Sequence, residues 1–295
     1  MSESSRDSAK LPREQEGVRA QCFHPSGRFE AFSKEEVEQS IPERFEKIVK
    51  LYPDRVAIKD RERSIVYREL NEMANRIAHA ILDRCGEGNR PVAILMEHGA
   101  LVLVSILAAL KAGKIYVPLD PSYPVDRLRY MLLDSQAEII LAYRETLSLA
   151  REIGGQDFGI IDGDDLGAGT RHRDVSLKID PGAFASILYT SGSTGRPKGV
   201  VDSHRNLLHG TLRFTNSLHI GIDDRLSLTH SCSSSASVRR VFPALLNGAS
   251  LFPLDLKKHG IQGLADLLTA ESITVFSSGR IRDFVRKFYS RPIVS

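Results

Sequence analysis

The chain has 295 residues, 42% of them apolar and 26% charged, with 40 basic against 37 acidic side chains and a net charge of +3. This composition supports a core of ordinary size and excludes collagen-like, disulfide-framework and wholly disordered classes. The near balance of dispersed charge argues against nucleic acid as a partner.

Residues 1–35 are polar, balanced in charge and short of anything to bury, which predicts a mobile leader without the apolar core of a signal peptide. From Val37, the residues Ile41, Phe45, Ile48, Val49 and Tyr52 recur at helical spacing, and Pro53-Asp54 ends the helix. Strands are predicted at 56–58 and 65–67, then a helix over 70–82 with Ala74, Ile77, Ala78 and Ile81 on one face. Next come strand 91–96, helix 100–111 closed by Gly113, strand 115–119, helix 125–135 and strand 138–142. The apolar run Ala100 to Leu110, broken only by Ser105, is shorter than the about 20 residues that cross a bilayer, so it reads as a buried helix. Strands 158–161 and 184–189, helix 203–214, strand 226–229, helix 237–246, strand 250–252, helix 261–269, strand 273–276 and helix 280–288 complete the series. Short buried strands alternating with helices predict an α/β fold of layered helices and largely parallel sheets. The Gly- and Asp-rich stretch 154–180 reads as loop, and a seam between two subdomains is expected near 150–185. Cys22, Cys85 and Cys232 stand far apart with no CxxC spacing, which fits a reducing, cytoplasmic setting without membrane contact.

The segment that speaks most directly of chemistry is Tyr189-Thr190-Ser191-Gly192-Ser193-Thr194-Gly195-Arg196-Pro197-Lys198-Gly199. Its glycines let backbone approach a ligand closely, and consecutive N–H groups in such a loop form an anion-binding concavity. The hydroxyls add donors, and Lys198 adds a compact positive charge. The helix expected from Ser203 would contribute its amino-terminal dipole. These parts suit a polyphosphate. The order is not GxxxxGK[ST], because Gly199 follows Lys198, and it is not GxGxxG. His204, just beyond, reads as a packing or surface residue.

The string YTSGSTGRPKG resembles the phosphate-loop signature of the adenylate-forming (AMP-dependent synthetase and ligase) superfamily. Ile65-Val66-Tyr67-Arg68-Glu69-Leu70-Asn71 resembles an early element of that family. The run from Leu110 to Pro121, LKAGKIYVPLDP, continued by Tyr123-Pro124 and Arg127-Leu128, resembles its second motif. The form of that motif is most like the N-terminal part of a nonribosomal peptide synthetase adenylation domain. Both elements read as structural, with no chemistry assigned. The resemblance covers residues 37–290 and the front half of the family's chain. The sequence stops at Ser295, before the family's adenine- and ribose-holding motifs, its hinge and its C-terminal domain with the catalytic lysine. Full turnover by this stretch alone is therefore not expected, and a separate chain carrying the other half is one expected partner.

The resemblance implies ATP-dependent activation of a carboxylate as an acyl-adenylate, with Mg²⁺ accompanying the ATP. It also implies transfer of the acyl group to a thiol, on a carrier protein's phosphopantetheine arm or on coenzyme A. By carry-over, Thr190, Ser191, Gly192, Ser193, Thr194 and Gly195 wrap the phosphates. Lys198 supports the loop or the leaving pyrophosphate, and Thr190 and Lys198 are the catalytic candidates. No metal-ligating side chain is singled out.

One element departs from the family. Amino-acid-activating relatives carry Phe-Asp-x-Ser where this chain has Ser234-Ser235-Ala236-Ser237. Their aspartate pairs with the substrate's α-ammonium group, a charge that Ser235 does not supply. Arg239 falls where a substrate-pocket side chain is expected, so Ser235 and Arg239 are the substrate-binding candidates. The change points away from an ordinary α-amino acid. A substrate with a second acid group, exposed arginines and a decayed site stay open. Ser235 also favours an acyl-CoA or aryl-acid ligase fragment, and the early stop favours a non-catalytic interaction module of a split enzyme.

Overall fold

A computed structural model describes residues 29–166, 172–190 and 196–276. Helix α1 (Ile41–Leu51) starts where Ser40 Oγ accepts the Glu43 N–H, with Pro42 in the first turn, and it buries Ile41, Phe45 and Ile48. Strands β1 (Val56–Lys59) and β2 (Ser64–Val66) form an antiparallel pair. Helix α2 (Tyr67–Cys85) follows at once, because the Glu69 carboxylate accepts the Val66 N–H at 3.1 Å. Tyr67 is fully buried, and its hydroxyl donates to the Ala249 carbonyl at 2.7 Å.

The chain then alternates through β3 (Pro91–Leu95), α3 (Ala100–Lys111), β4 (Ile115–Leu119), α4 (Val125–Asp134), β5 (Ile139–Ala142), α5 (Leu147–Gly154) and β6 (Gly159–Asp162). It continues through β7 (Phe184–Thr190), β8 (Lys198–Ser203), α6 (His204–Leu218), β9 (Arg225–Leu228), α7 (Ser235–Leu245), β10 (Ser250–Pro253) and α8 (Leu256–Ala270). Two sheets result, one of six strands in the order β6-β5-β3-β4-β7-β8 and one of four in the order β2-β1-β10-β9. Pairing is parallel except at the two edges, β7–β8 and β1–β2.

Faces of the six-stranded sheet alternate as strand geometry requires. Val92, Ile94, Ile139 and Leu141 join the main core with α1, α2 and α3. Ala93, Leu95, Ile140 and Ala142 face a second core under α4 and α5, with Leu128, Met131, Leu132, Ala150 and Ile153. Helix α3 is buried along nearly its whole length, and Gly113 closes it in the left-handed region at φ 67°. Lys111 at its end is buried and ion-paired with Glu46 and Asp174. Lys114 donates to the carbonyls of Gly86 and Gly88 at 2.7 and 2.9 Å.

Several expectations are corrected. The end of the leader is docked: Phe32 is buried, its N–H donates to Asn216 Oδ1 at 2.9 Å, and the Arg44 guanidinium lies 3.8 Å from its ring centre. Residues 1–28 lie outside the described residues. The stretch 150–185 is a connection within one sheet, since β6 and β7 on either side both belong to the six-stranded one. Helix α5 escapes the periodicity reading because two turns display too little of the pattern. Strand β8 escapes it because an exposed edge strand needs no apolar alternation. Helix α8 starts at Leu256 and kinks at Gly260. At 273–276, Val275 makes a single parallel bridge to Leu226. The expected helix 280–288 lies outside the described residues.

Candidate functional site

Strands β7 and β8 pair in register from Phe184 and Ser203 at one end to Thr190 and Lys198 at the other. The residues between Thr190 and Lys198 therefore leave and return at adjacent strand ends. Thr190 Oγ1 donates to the Lys198 carbonyl at 3.4 Å, and both residues are exposed. No ion pair among the described residues engages the Lys198 ammonium. Ser191, Gly192, Ser193, Thr194 and Gly195 lie outside the described residues.

The hairpin end is braced from below. Tyr189 is buried, and its hydroxyl donates to Asp134 Oδ2 at 2.7 Å, with the Met131 carbonyl at 3.2 Å. Gly199 sits opposite Tyr189 in the ladder. A Cβ there would lie 3.0 Å from Ile187 Cγ2 and 3.4 Å from Tyr189 Cζ, so the close approach favours glycine. The α6 dipole does not reach this end. At about 3.3 Å per residue, the length of β8 sets the start of α6 roughly 17 Å from Lys198. His204, at that start, is buried, and its Nδ1 accepts the Ile41 N–H at 3.2 Å. Burial pushes its pKa down to about 4. It is a packing residue.

Ser235 and Arg239 lie one turn apart on α7 and share a helix face, and both are exposed. The helix starts at Ser234, whose Oγ accepts the Ala236 N–H at 3.3 Å. Ser237 donates back to the Ser234 carbonyl at 2.7 Å. The Arg239 guanidinium lies 5.5 Å from the Phe214 ring centre, and that of Arg240 lies 6.0 Å from the same ring. Arg240, not Arg239, is the buried arginine. No hydrogen bond or ion pair among the described residues joins Thr190 or Lys198 to α7.

The end of the second motif steadies the entry to α7. Tyr123 and Ser233 share a hydrogen bond of 3.0 Å between their hydroxyls, and Ser231 and Ser233 share another of 3.0 Å. Burial works to raise the Asp120 carboxyl, but hydrogen bonds from Ser122 and Ser231 and the nearby Lys257 outweigh it and hold the group below the usual carboxylate range. A cleft of about 260 Å³ is lined by Asp60, Met96, His98, Tyr143, Pro253 and Lys258. None of the site residues expected from the sequence lines it.

The profile of the AMP-binding enzyme family matches residues 45–278. The chain belongs to the AMP-binding enzymes. This AMP-binding enzyme is 35% identical to tyrocidine synthase 1 of Brevibacillus parabrevis over 241 residues, which are 81% of this chain and 22% of that one. It superposes on the N-terminal subdomain of Klebsiella oxytoca NpsA, solved in complex with 3-hydroxyanthranilyl-AMSN, with a TM-score of 0.73 and 28% identity, over 86% of this chain and 65% of that one. The nonribosomal peptide synthetase FmoA3, in its α-methyl-L-serine-AMP bound form, shares the fold at a TM-score of 0.78 and 24% identity, over 85% of this chain and 28% of that one. The chain thus spans about a fifth of the length of tyrocidine synthase 1.

At the hairpin end the exposed Thr190 hydroxyl and the Lys198 ammonium, which has no ion pair among the described residues, flank the glycine-rich segment of the sequence. Among the described residues no group of three or more His, Cys, Asp or Glu side chains forms a metal cage. Sequence reasoning gave no role to Asp134, named Tyr123 only within a motif, and left Arg240 as a possible exposed arginine. Arg240 carried a signal, because Ser237, Arg240, Val241 and Ala244 lie on one helical stripe. Asp134 and Tyr123 carried none, since their partners are 55 and 110 residues away in sequence.

Proposed function

We propose that the chain is the phosphate-loop region of an enzyme that activates a carboxylic acid with Mg·ATP, forming an acyl-adenylate and releasing pyrophosphate. The observation that carries this reading is the Thr190–Lys198 pair, which closes the TSGSTGRPK segment at the braced end of a hairpin. Family membership and the likeness to tyrocidine synthase 1 support it.

In the reaction a carboxylate oxygen attacks the α-phosphorus, a P–O bond forms, and the bond to the pyrophosphate oxygen breaks. No protein nucleophile is needed, so catalysis depends on positioning and on charge stabilisation. Lys198 offsets negative charge on the phosphates, Thr190 donates its hydroxyl, and Ser191 to Gly195 supply backbone and hydroxyl donors. Mg²⁺ arrives on the nucleotide, in keeping with its preference for phosphate oxygens and water over an all-protein cage. Ser235 and Arg239, on the exposed face of α7, meet the acid. Residues 36–290 act as the N-terminal region of the adenylation unit, and the rest of that unit completes the site. The acceptor is the thiol of a carrier protein or of coenzyme A. Free Cys85 and Cys232, and the absence among the described residues of a helix able to cross a membrane, suit work in the cytoplasm.

Thermal unfolding of the purified chain with and without Mg·ATP tests the reading. A bound nucleotide at ten times its Kd adds about 1.4 kcal/mol of stability, which raises the midpoint measurably. A cooperative melt with no shift at millimolar Mg·ATP overturns nucleotide binding by this stretch on its own.

A further inference from the structure

Arg240 breaks the usual rule for buried charge. It is 9% exposed, its Nε has no hydrogen-bond partner, and its recorded hydrogen bond runs from NH1 to the Arg239 carbonyl at 2.9 Å. No carboxylate among the described residues pairs with Arg239 or Arg240. Burial lowers the Arg240 pKa, and the neighbouring positive charge of Arg239 lowers it further. His230, in the loop between β9 and α7, has a buried Nδ1 that also lacks a partner. Burial holds its pKa down, followed by the positive charge of Arg240 and the nearby His98.

Three basic groups therefore gather beside the start of α7 with no anion among them. An uncompensated buried guanidinium is costly, and a ligand anion is the partner that removes the cost. The neutral Ser235 at the first position of α7 leaves this corner without a counter-charge, and the helix dipole adds to the positive field. The reacting carboxylate has to reach the nucleotide's α-phosphate, and no described contact links α7 to Thr190 or Lys198. On the adenylation reading, the anion that comes to this corner is then a second acidic group of the same acid.

We propose that Arg240, with Arg239 and His230, receives a second carboxylate of the substrate, so that the acid activated is a small dicarboxylic acid. This rests on the adenylation reading given above.

The test is thermal unfolding of the full chain with succinate, glutarate or isophthalate, each beside its monoacid control, butyrate or benzoate, and beside sulfate at equal ionic strength. Mg·ATP is measured separately. At ten times Kd a dicarboxylate should raise the midpoint by about 2–4 °C, and the monoacids and sulfate should not. Arg240→Met should abolish that rise, Arg240→Lys should keep part of it, and both should retain the Mg·ATP shift, which also reports their folding. Without ligand, Arg240→Met should melt no lower than the parent, because a desolvated charge has been removed. A Mg·ATP shift with no dicarboxylate response overturns the inference and leaves the adenylation reading standing. So does an equal response to sulfate, or a dicarboxylate response that survives Arg240→Met. A dicarboxylate shift with no Mg·ATP shift overturns the adenylation reading and, with it, the assignment of the anion as a substrate group.

Discussion

Thr190 and Lys198 face each other as the last pair of the β7–β8 ladder, so the hydroxyl and the ammonium on either side of the glycine-rich segment are held on opposite strands at one end of a hairpin. Their spacing is set by the backbone ladder, not by their side chains.

Substitution at this pair should therefore separate binding from stability. Lys198→Ala should weaken Mg·ATP binding about tenfold or more, the worth of one charge-assisted contact of about 1.5–3 kcal/mol. Thr190→Ala should cost less, about 0.5–1.5 kcal/mol. Both residues are exposed, so the unliganded melting midpoint should stay within the range of ordinary surface changes. Isothermal titration beside thermal unfolding checks both halves.

Gly199 gives the converse result. Gly199→Val forces side-chain atoms against Ile187 and Tyr189, and overpacking of this kind costs about 1–3 kcal/mol. Urea unfolding should show a lower midpoint with an unchanged slope. A midpoint equal to the parent's would show that the Tyr189 ring moves aside freely.

The buried Lys111 makes a directional prediction. Glu46→Ala removes a carboxylate from a side chain that is 1% exposed and should destabilise by about 3–5 kcal/mol. The contact with Asp174 at 3.4 Å limits the loss. Lys111→Met in the Glu46→Ala background should recover most of it, which a double-mutant cycle in urea measures.

His204 sets a pH dependence. Its pKa falls from the ordinary 6.5 to about 4 on folding, so between those values the unfolded chain binds a proton that the folded chain does not. Stability is full above pH 6.5 and is lost as pH falls towards 4. At pH 5 the loss is about 2 kcal/mol. In His204→Asn the fall between pH 7.5 and pH 5 should shrink by about that amount, and an unchanged fall would assign the slope to other groups.

The family was legible because the residue types of Tyr189 to Gly199 and of Leu110 to Pro121 resemble it whatever fold surrounds them. The parallel strands were legible because Val92 to Leu95 and Ile139 to Ala142 are apolar on both faces, as a sheet covered on both sides requires. Strand β8 was not, because Val200 and Val201 sit at an exposed edge where pairing alone defines the strand. The choice between Arg239 and Arg240 was legible only through helix phase, because exposure depends on the phase at which α7 packs Val241, Phe242 and Ala244. A helix phase read from Ser237 onward selects Arg240.

The hydroxyl contact between Tyr123 and Ser233 has a further consequence. It fastens the loop after β4, in one sheet, to the turn that launches α7 from the other. Under the proposed function, selection of the acid by the serine-rich turn and α7 is thus not modular in sequence. A transplant of residues 231–245 from a relative would arrive without its clasp unless position 123 travelled with it, and chimeras made with and without that residue should differ in how firmly the grafted helix holds its acid.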